Sequence, residues 1–203
     1  MDRATFMNKY WRYYLLLEKK FIDTLNYVEL AKENFSTYSV EYAHQLLAIG
    51  SELDTFFKIY CGFNLNDRKN IVDYTRYIMN DYPQIKTQVV KIYDTELTLT
   101  PYEEWTQWST QSGNLLSWWD AYNLVKHNRQ ENITKASMGN VITSLAALHL
   151  IEMKYLQVIT KGTKEFNKPE NSSSLFESTD WKFNVTFIIN VTFIRDCDMF
   201  IMT

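Results

Sequence analysis

A chain of 203 residues, 46% apolar and 22% charged, is long enough to bury a sizeable single core, too apolar for disorder and too polar for a membrane-embedded body. A formal net charge of -3 and a pI near 5.7 argue against a broad basic face for duplex DNA and leave room only for local basic patches. Phe, Trp and Tyr together reach 16%, which predicts a ring-rich core and a surface prone to self-association.

The opening residues, Met1 to Thr5, read as the start of a polar and aromatic helix rather than a basic stub before an apolar signal core. Cys61 and Cys197 have neither zinc-site nor disulfide-framework spacing, so a reducing, cytoplasmic compartment is the simplest expectation.

In chain order, residues 3–32 carry Tyr10, Tyr14, Leu17, Phe21, Leu25 and Val28 at spacings of three and four and predict one long amphipathic helix. After a polar break at residues 34–39, Ala43, Leu46, Leu47, Gly50, Leu53, Phe57 and Tyr60 form a second stripe, with Gly62 as its stop. Asn66 and Asp67 are candidate caps for a third helix bearing Ile71, Tyr74, Ile78 and Tyr82, which Pro83 ends. The β-branched pattern of residues 85–99 predicts a small hairpin turning near Asp94. Thr100-Pro101-Tyr102-Glu103 has capping-box order and predicts a short helix through Trp105 and Trp108. Two further helices are expected over residues 115–129 and 135–160, with Gly162 beyond the last.

Residues 163–180, rich in Lys, Glu, Asn and Ser and lacking an apolar period, predict a mobile linker after a helical domain of residues 1–162. In the extended tail expected over residues 181–203, the pentapeptide Asn184-Val185-Thr186-Phe187-Ile188 recurs as Asn190-Val191-Thr192-Phe193-Ile194. It reads as a strand or hairpin covering the body or a partner, or else as an aggregation-prone end. Its apolar stretch, residues 183–194, falls short of the roughly 18 to 20 residues that span a bilayer, so no membrane anchor is expected.

The chain has no phosphate-cradling glycine loop, dinucleotide fingerprint or nucleophile elbow. Its histidines, at 44, 127 and 149, form no metal-ligand cluster in sequence, so neither metal nor cofactor is expected. His149, among Leu145, Leu148 and Glu152, reads as a core histidine. Chemistry concentrates instead in residues 118–129. At helical spacing Asp120, Asn123 and His127 share one face, and Tyr122, Lys126 and Arg129 line the adjacent strip. An imidazole exchanges protons near neutral pH, Lys and Arg hold phosphate, and Asp or Asn orients the histidine tautomer. The competing reading is a plain helix end whose Lys126, His127 and Arg129 meet the negative pole of the helix dipole while Asp120 and Asn123 are solvated. Trp105, Trp108, Trp118 and Trp119 are candidates for stacking on bases, with core or interface packing the commoner role for such residues.

The segment Tyr122-Asn123-Leu124-Val125-Lys126-His127 resembles the helical motif of HEPN proteins, and the run from Trp118-Trp119 to Lys126-His127-Asn128-Arg129 resembles a bacterial HEPN-like group over roughly residues 10–160. The resemblance implies a mainly α fold, an antiparallel helical bundle, and a homodimer whose paired motif helices face single-stranded RNA. It also implies a toxin-antitoxin or phage-defence setting, with an antitoxin or regulatory protein as partner. Carried over residue by residue, it assigns proton transfer to His127 with Asn123 and Tyr122 beside it, and phosphate binding to Lys126 and Arg129. Ser51-Glu52-Leu53-Asp54 and Lys58 resemble the polar positions of an early HEPN helix, which makes Glu52, like Asp120, a supporting residue able to orient His127 or Arg129. Tyr122 stands where the family's catalytic Arg would be. A neutral phenol cannot reproduce a guanidinium fork, so the expectation is a degenerate metal-independent ribonuclease at most. The alternative is a noncatalytic module for dimerisation or protein interaction.

Overall fold

The computed structural model describes residues 1–178 except 110, 112, 114 and 115; the repeated pentapeptides and the extended tail lie outside the described residues. The first helix is built from α1 (Arg3–Phe6), a π-turn (Met7–Trp11) and α2 (Arg12–Thr24), with the Asp2 carboxylate accepting from the Thr5 N–H at 2.8 Å at its start. Phe6 and Trp11 are five residues apart. The π-turn, with its i to i+5 bonding, brings both onto the buried face that Tyr14, Leu17 and Phe21 continue. The helix stops at Thr24 rather than at residue 32, where the Asn26 amide bonds the Asp23 carbonyl at 3.0 Å and Tyr27 turns out to solvent.

Ser39 caps α3 (Val40–Tyr60) by accepting from the Tyr42 N–H at 3.0 Å, and Gly62 takes a φ of +69° just beyond its end. The third helix, α4 (Ile71–Asp81), is capped by Asn70 in a reciprocal box with Asp73, not by Asn66 or Asp67. The expected short helix near Trp105 is a 3-10 turn over Glu103–Gln107 that ends before Trp108. α5 (Ser117–Asn132) and α6 (Met138–Thr160) complete the helical body, and Gly162 at φ +77° follows the last. α6 is apolar on nearly every side and lies at the centre, against α2, α3 and α5. The chain is therefore mainly helical. None of its helices among the described residues is long and apolar enough to cross a membrane.

The hairpin of β1 (Val90–Ile92) and β2 (Thr98–Leu99) turns through Asp94 at φ +59°. It gains a third strand, β3 (Phe176–Ser178), antiparallel on the other side of β1 with Ile92 opposite Phe176. The described part of residues 163–180 is thus not a loose linker but a strap across the first helix. Arg3 donates to the carbonyls of Phe166 and Lys168 at 3.0 and 2.9 Å and pairs with Glu170 at 2.6 Å; the Trp11 indole donates to the Asn171 carbonyl at 2.6 Å. The buried Glu18 carboxylate accepts from Tyr14 Oη at 2.5 Å, from the Ser174 N–H and hydroxyl at 2.8 and 2.9 Å, and from the Ser173 hydroxyl. Hydrogen bonds to the Glu18 side chain and to Arg3 and Trp11, rather than an apolar period, hold this segment, which is why composition alone reads it as mobile.

Candidate functional site

α5 begins with its aromatic half inside. Trp118 and Trp119 are buried, the Trp118 indole donates to the Pro101 carbonyl at 2.8 Å, and Trp105 packs beside Tyr102 with its ring tilted by 34°. These three tryptophans are core residues and present no face to a base. Trp108 is half-buried.

Tyr122, read from the sequence as part of a catalytic strip, is 4% exposed. Its ring lies in the notch that Gly50 leaves on α3, so close that a Cβ at Gly50 would stand 2.2 Å from Tyr122 Cδ2. Trp119 flanks the ring at 5.3 Å between centroids, and the Lys126 ammonium sits 5.3 Å from its centroid on the outer side. Tyr122 is therefore the residue that seats α5 on α3, with Lys126 covering it. A reacting phosphate has no access to its ring.

Beyond Tyr122 the helix emerges into solvent. Lys126, His127 and Arg129 are exposed, and the side chains of His127 and Arg129 make no hydrogen bond or ion pair among the described residues. Asp120, Asn123, Leu124, His127, Asn128 and Asn132 line a shallow depression of about 420 Å³. The shared face of Asp120, Asn123 and His127 is thus present as a surface.

Arg129 departs from the expected strip. Asn128 has φ -149° and ψ 76°, outside the helical region, so the helix breaks there and restarts. The Asn128 side-chain oxygen accepts from the Glu131 N–H at 3.4 Å, and its carbonyl accepts from the Asn132 amide at 2.9 Å. Asn128 is an N-cap for the last turn, and Asn128-Arg129-Gln130-Glu131 carries the Asn-x-x-Glu order that signals one. Seven-residue spacing from Tyr122 consequently does not place Arg129 on the same strip.

Glu52 belongs to a different place. It makes no hydrogen bond or ion pair with His127 or Arg129 and instead faces the field of Glu152 on α6 and Tyr10 on the π-turn. Burial pushes its carboxyl up to about 7, and Glu152, fully buried with both oxygens lacking a hydrogen-bond partner, is held well above the usual carboxylate range by burial and then by Glu52. Burial thus favours the protonated form of Glu152 and moves the titration of Glu52 to near neutral pH. Asp54 pairs with Lys58 at 3.1 Å and accepts from Tyr74 Oη at 2.9 Å, tying α3 to α4. His149 is enclosed by Trp11, Tyr14 and Phe176, and burial lowers its imidazole to about 3, so it stays neutral. The Glu52 and Glu152 pair escaped sequence reasoning because the two residues lie on helices a hundred residues apart.

No family model, no curated protein and no solved structure matches this chain.

Proposed function

We propose that the chain is a noncatalytic RNA-associated protein of the HEPN-like kind, acting in the cytoplasm, in which Lys126, His127 and Arg129 grip the phosphate backbone of single-stranded RNA. The observation that carries this reading is the burial of the Tyr122 ring in the Gly50 notch beside three exposed cationic or protonatable side chains. Phosphoryl transfer by His127 needs a positioned partner and a fixed charge at the phosphate. His127 has no hydrogen-bonded partner among the described residues, and the phenol at the expected charged position faces α3. Binding needs only accessible cations, which this edge offers.

The test is fluorescence anisotropy of a labelled mixed-sequence single-stranded RNA across a salt series. Lys126→Ala and Arg129→Ala should each weaken binding and flatten the salt dependence by about one released counterion. Unchanged affinity and slope in both variants would contradict the reading.

Leu124, 43% exposed within the same depression, favours a second reading in which this surface docks a second copy of the chain or a regulatory protein such as an antitoxin. That reading predicts a concentration-dependent mass in solution that Leu124→Glu abolishes; a monomeric mass at every concentration counts against it.

A further inference from the structure

Away from α5, a second depression of about 640 Å³ lies between the turn after α3 and the outer face of α4, and rings and cations make its walls. Phe63 and Tyr77 meet edge to face at 6.0 Å, with Tyr77 43% exposed, and Trp108 contributes a third ring. Lys69 lies 4.7 Å from the centroid of Phe63, and Arg76 is exposed one turn into α4. Neither cation meets a carboxylate in an ion pair among the described residues. Asp73, the acid in this depression, is committed to the α4 cap, where it accepts from the Asn70 N–H at 3.1 Å.

Aromatic rings beside cations that meet no carboxylate among the described residues match a planar ring joined to a phosphate, since bases stack on exposed aromatic rings and phosphate takes a cation. Three rings supply the faces. Lys69 and Arg76 supply the charge. The volume is that of a single small ligand rather than of a folded partner.

We propose that this depression is a nucleotide subsite for single-stranded RNA, in which one base stacks on Tyr77 against the Phe63 and Trp108 walls and its phosphate is held by Lys69 and Arg76. The inference rests on the reading of the chain as RNA-associated and adds to it a base-contacting site separate from the backbone grip on α5. Binding at both places lengthens the footprint. It also makes affinity depend on the presence of bases, which the α5 edge alone does not.

The experiment uses the full chain and three probes: a labelled 12-nucleotide RNA, the same oligonucleotide with abasic residues, and adenosine 5′-monophosphate as competitor. Tyr77→Ala should weaken binding of the intact RNA about tenfold and leave the abasic strand unchanged, whereas Tyr77→Phe should restore binding. Arg76→Gln should weaken both strands and flatten the salt dependence by about one counterion. Thermal melting confirms that these surface variants stay folded. Binding that responds to Lys126→Ala but not to Tyr77→Ala or Arg76→Gln would overturn the subsite and leave the α5 reading standing. Absence of any RNA binding would overturn both, and tight binding of the mononucleotide without RNA binding would reassign the pocket to a free nucleotide and overturn the RNA assignment.

Discussion

Alanine at Gly50 offers a direct test of how α5 is seated. Within a helix, alanine is favoured over glycine by about 1 kcal/mol, because glycine loses more backbone entropy on folding. Here the new methyl would meet Cδ2, Cγ and Cε2 of Tyr122 at 2.2, 2.4 and 2.6 Å, which is one edge of a buried ring and not the end of a flexible chain. Contacts this short against a buried ring put the overpacking cost in the upper part of the usual range, about 2–3 kcal/mol, which outweighs the propensity gain, so Gly50→Ala should destabilise the chain by about 1–2 kcal/mol. For a chain of this size that lowers Tm by roughly 2–8 °C. Tyr122→Ala alone should cost about 3–5 kcal/mol, as for other large buried rings. With the ring gone, Gly50→Ala should change sign and stabilise by about 1 kcal/mol, a coupling that urea unfolding in a double-mutant cycle reads directly. A rise in Tm for Gly50→Ala in the otherwise unchanged chain would refute the notch and reopen Tyr122 as a surface residue.

Glu52→Gln should make stability less dependent on pH. Since the folded carboxyl titrates near 7 rather than 4.5, its contribution is complete below pH 4.5 and is lost as pH rises through 7. The shift corresponds to about 3 kcal/mol at full strength, reduced to about 1–2 kcal/mol by solvent screening at this half-buried group, and chemical denaturation at pH 5 and pH 8.5 measures it. Glu18→Ala should leave the Ser173 and Ser174 donors unpaired, destabilise by about 3 kcal/mol and speed hydrogen exchange over residues 166–178; unchanged exchange there would show that the strap is held by something else. Asn128→Ala should remove the cap of the last α5 turn at a loss of about 1 kcal/mol, seen in thermal melts, with the buried half of the helix intact.

The helices were legible because their apolar spacing is strong. Ser39, Gly62, Asp94 and Gly162 stand at the turns and caps where their chemistry is expected. The π-turn was not, since a five-residue gap from Phe6 to Trp11 looks like noise to a 3.6-residue period. The polar α5 edge was visible, but the depth of Tyr122 was not, because it depends on a glycine seventy-two positions earlier. Tertiary placement likewise decided Glu52, which a helical wheel cannot distinguish from a solvated acid. The strap from residue 163 was hidden for the opposite reason: its anchors are serines and backbone carbonyls whose partners, Arg3, Trp11 and Glu18, lie at the other end of the chain.

The most direct test of noncatalytic RNA binding follows one labelled single-stranded RNA for affinity and integrity in the same chelated sample, with the unchanged chain, Lys126→Ala and His127→Ala compared. Noncatalytic binding at the α5 edge should be salt-sensitive and weakened by Lys126→Ala, with the RNA recovered at full length in every sample. Cleavage by the unchanged chain that disappears in His127→Ala would contradict it.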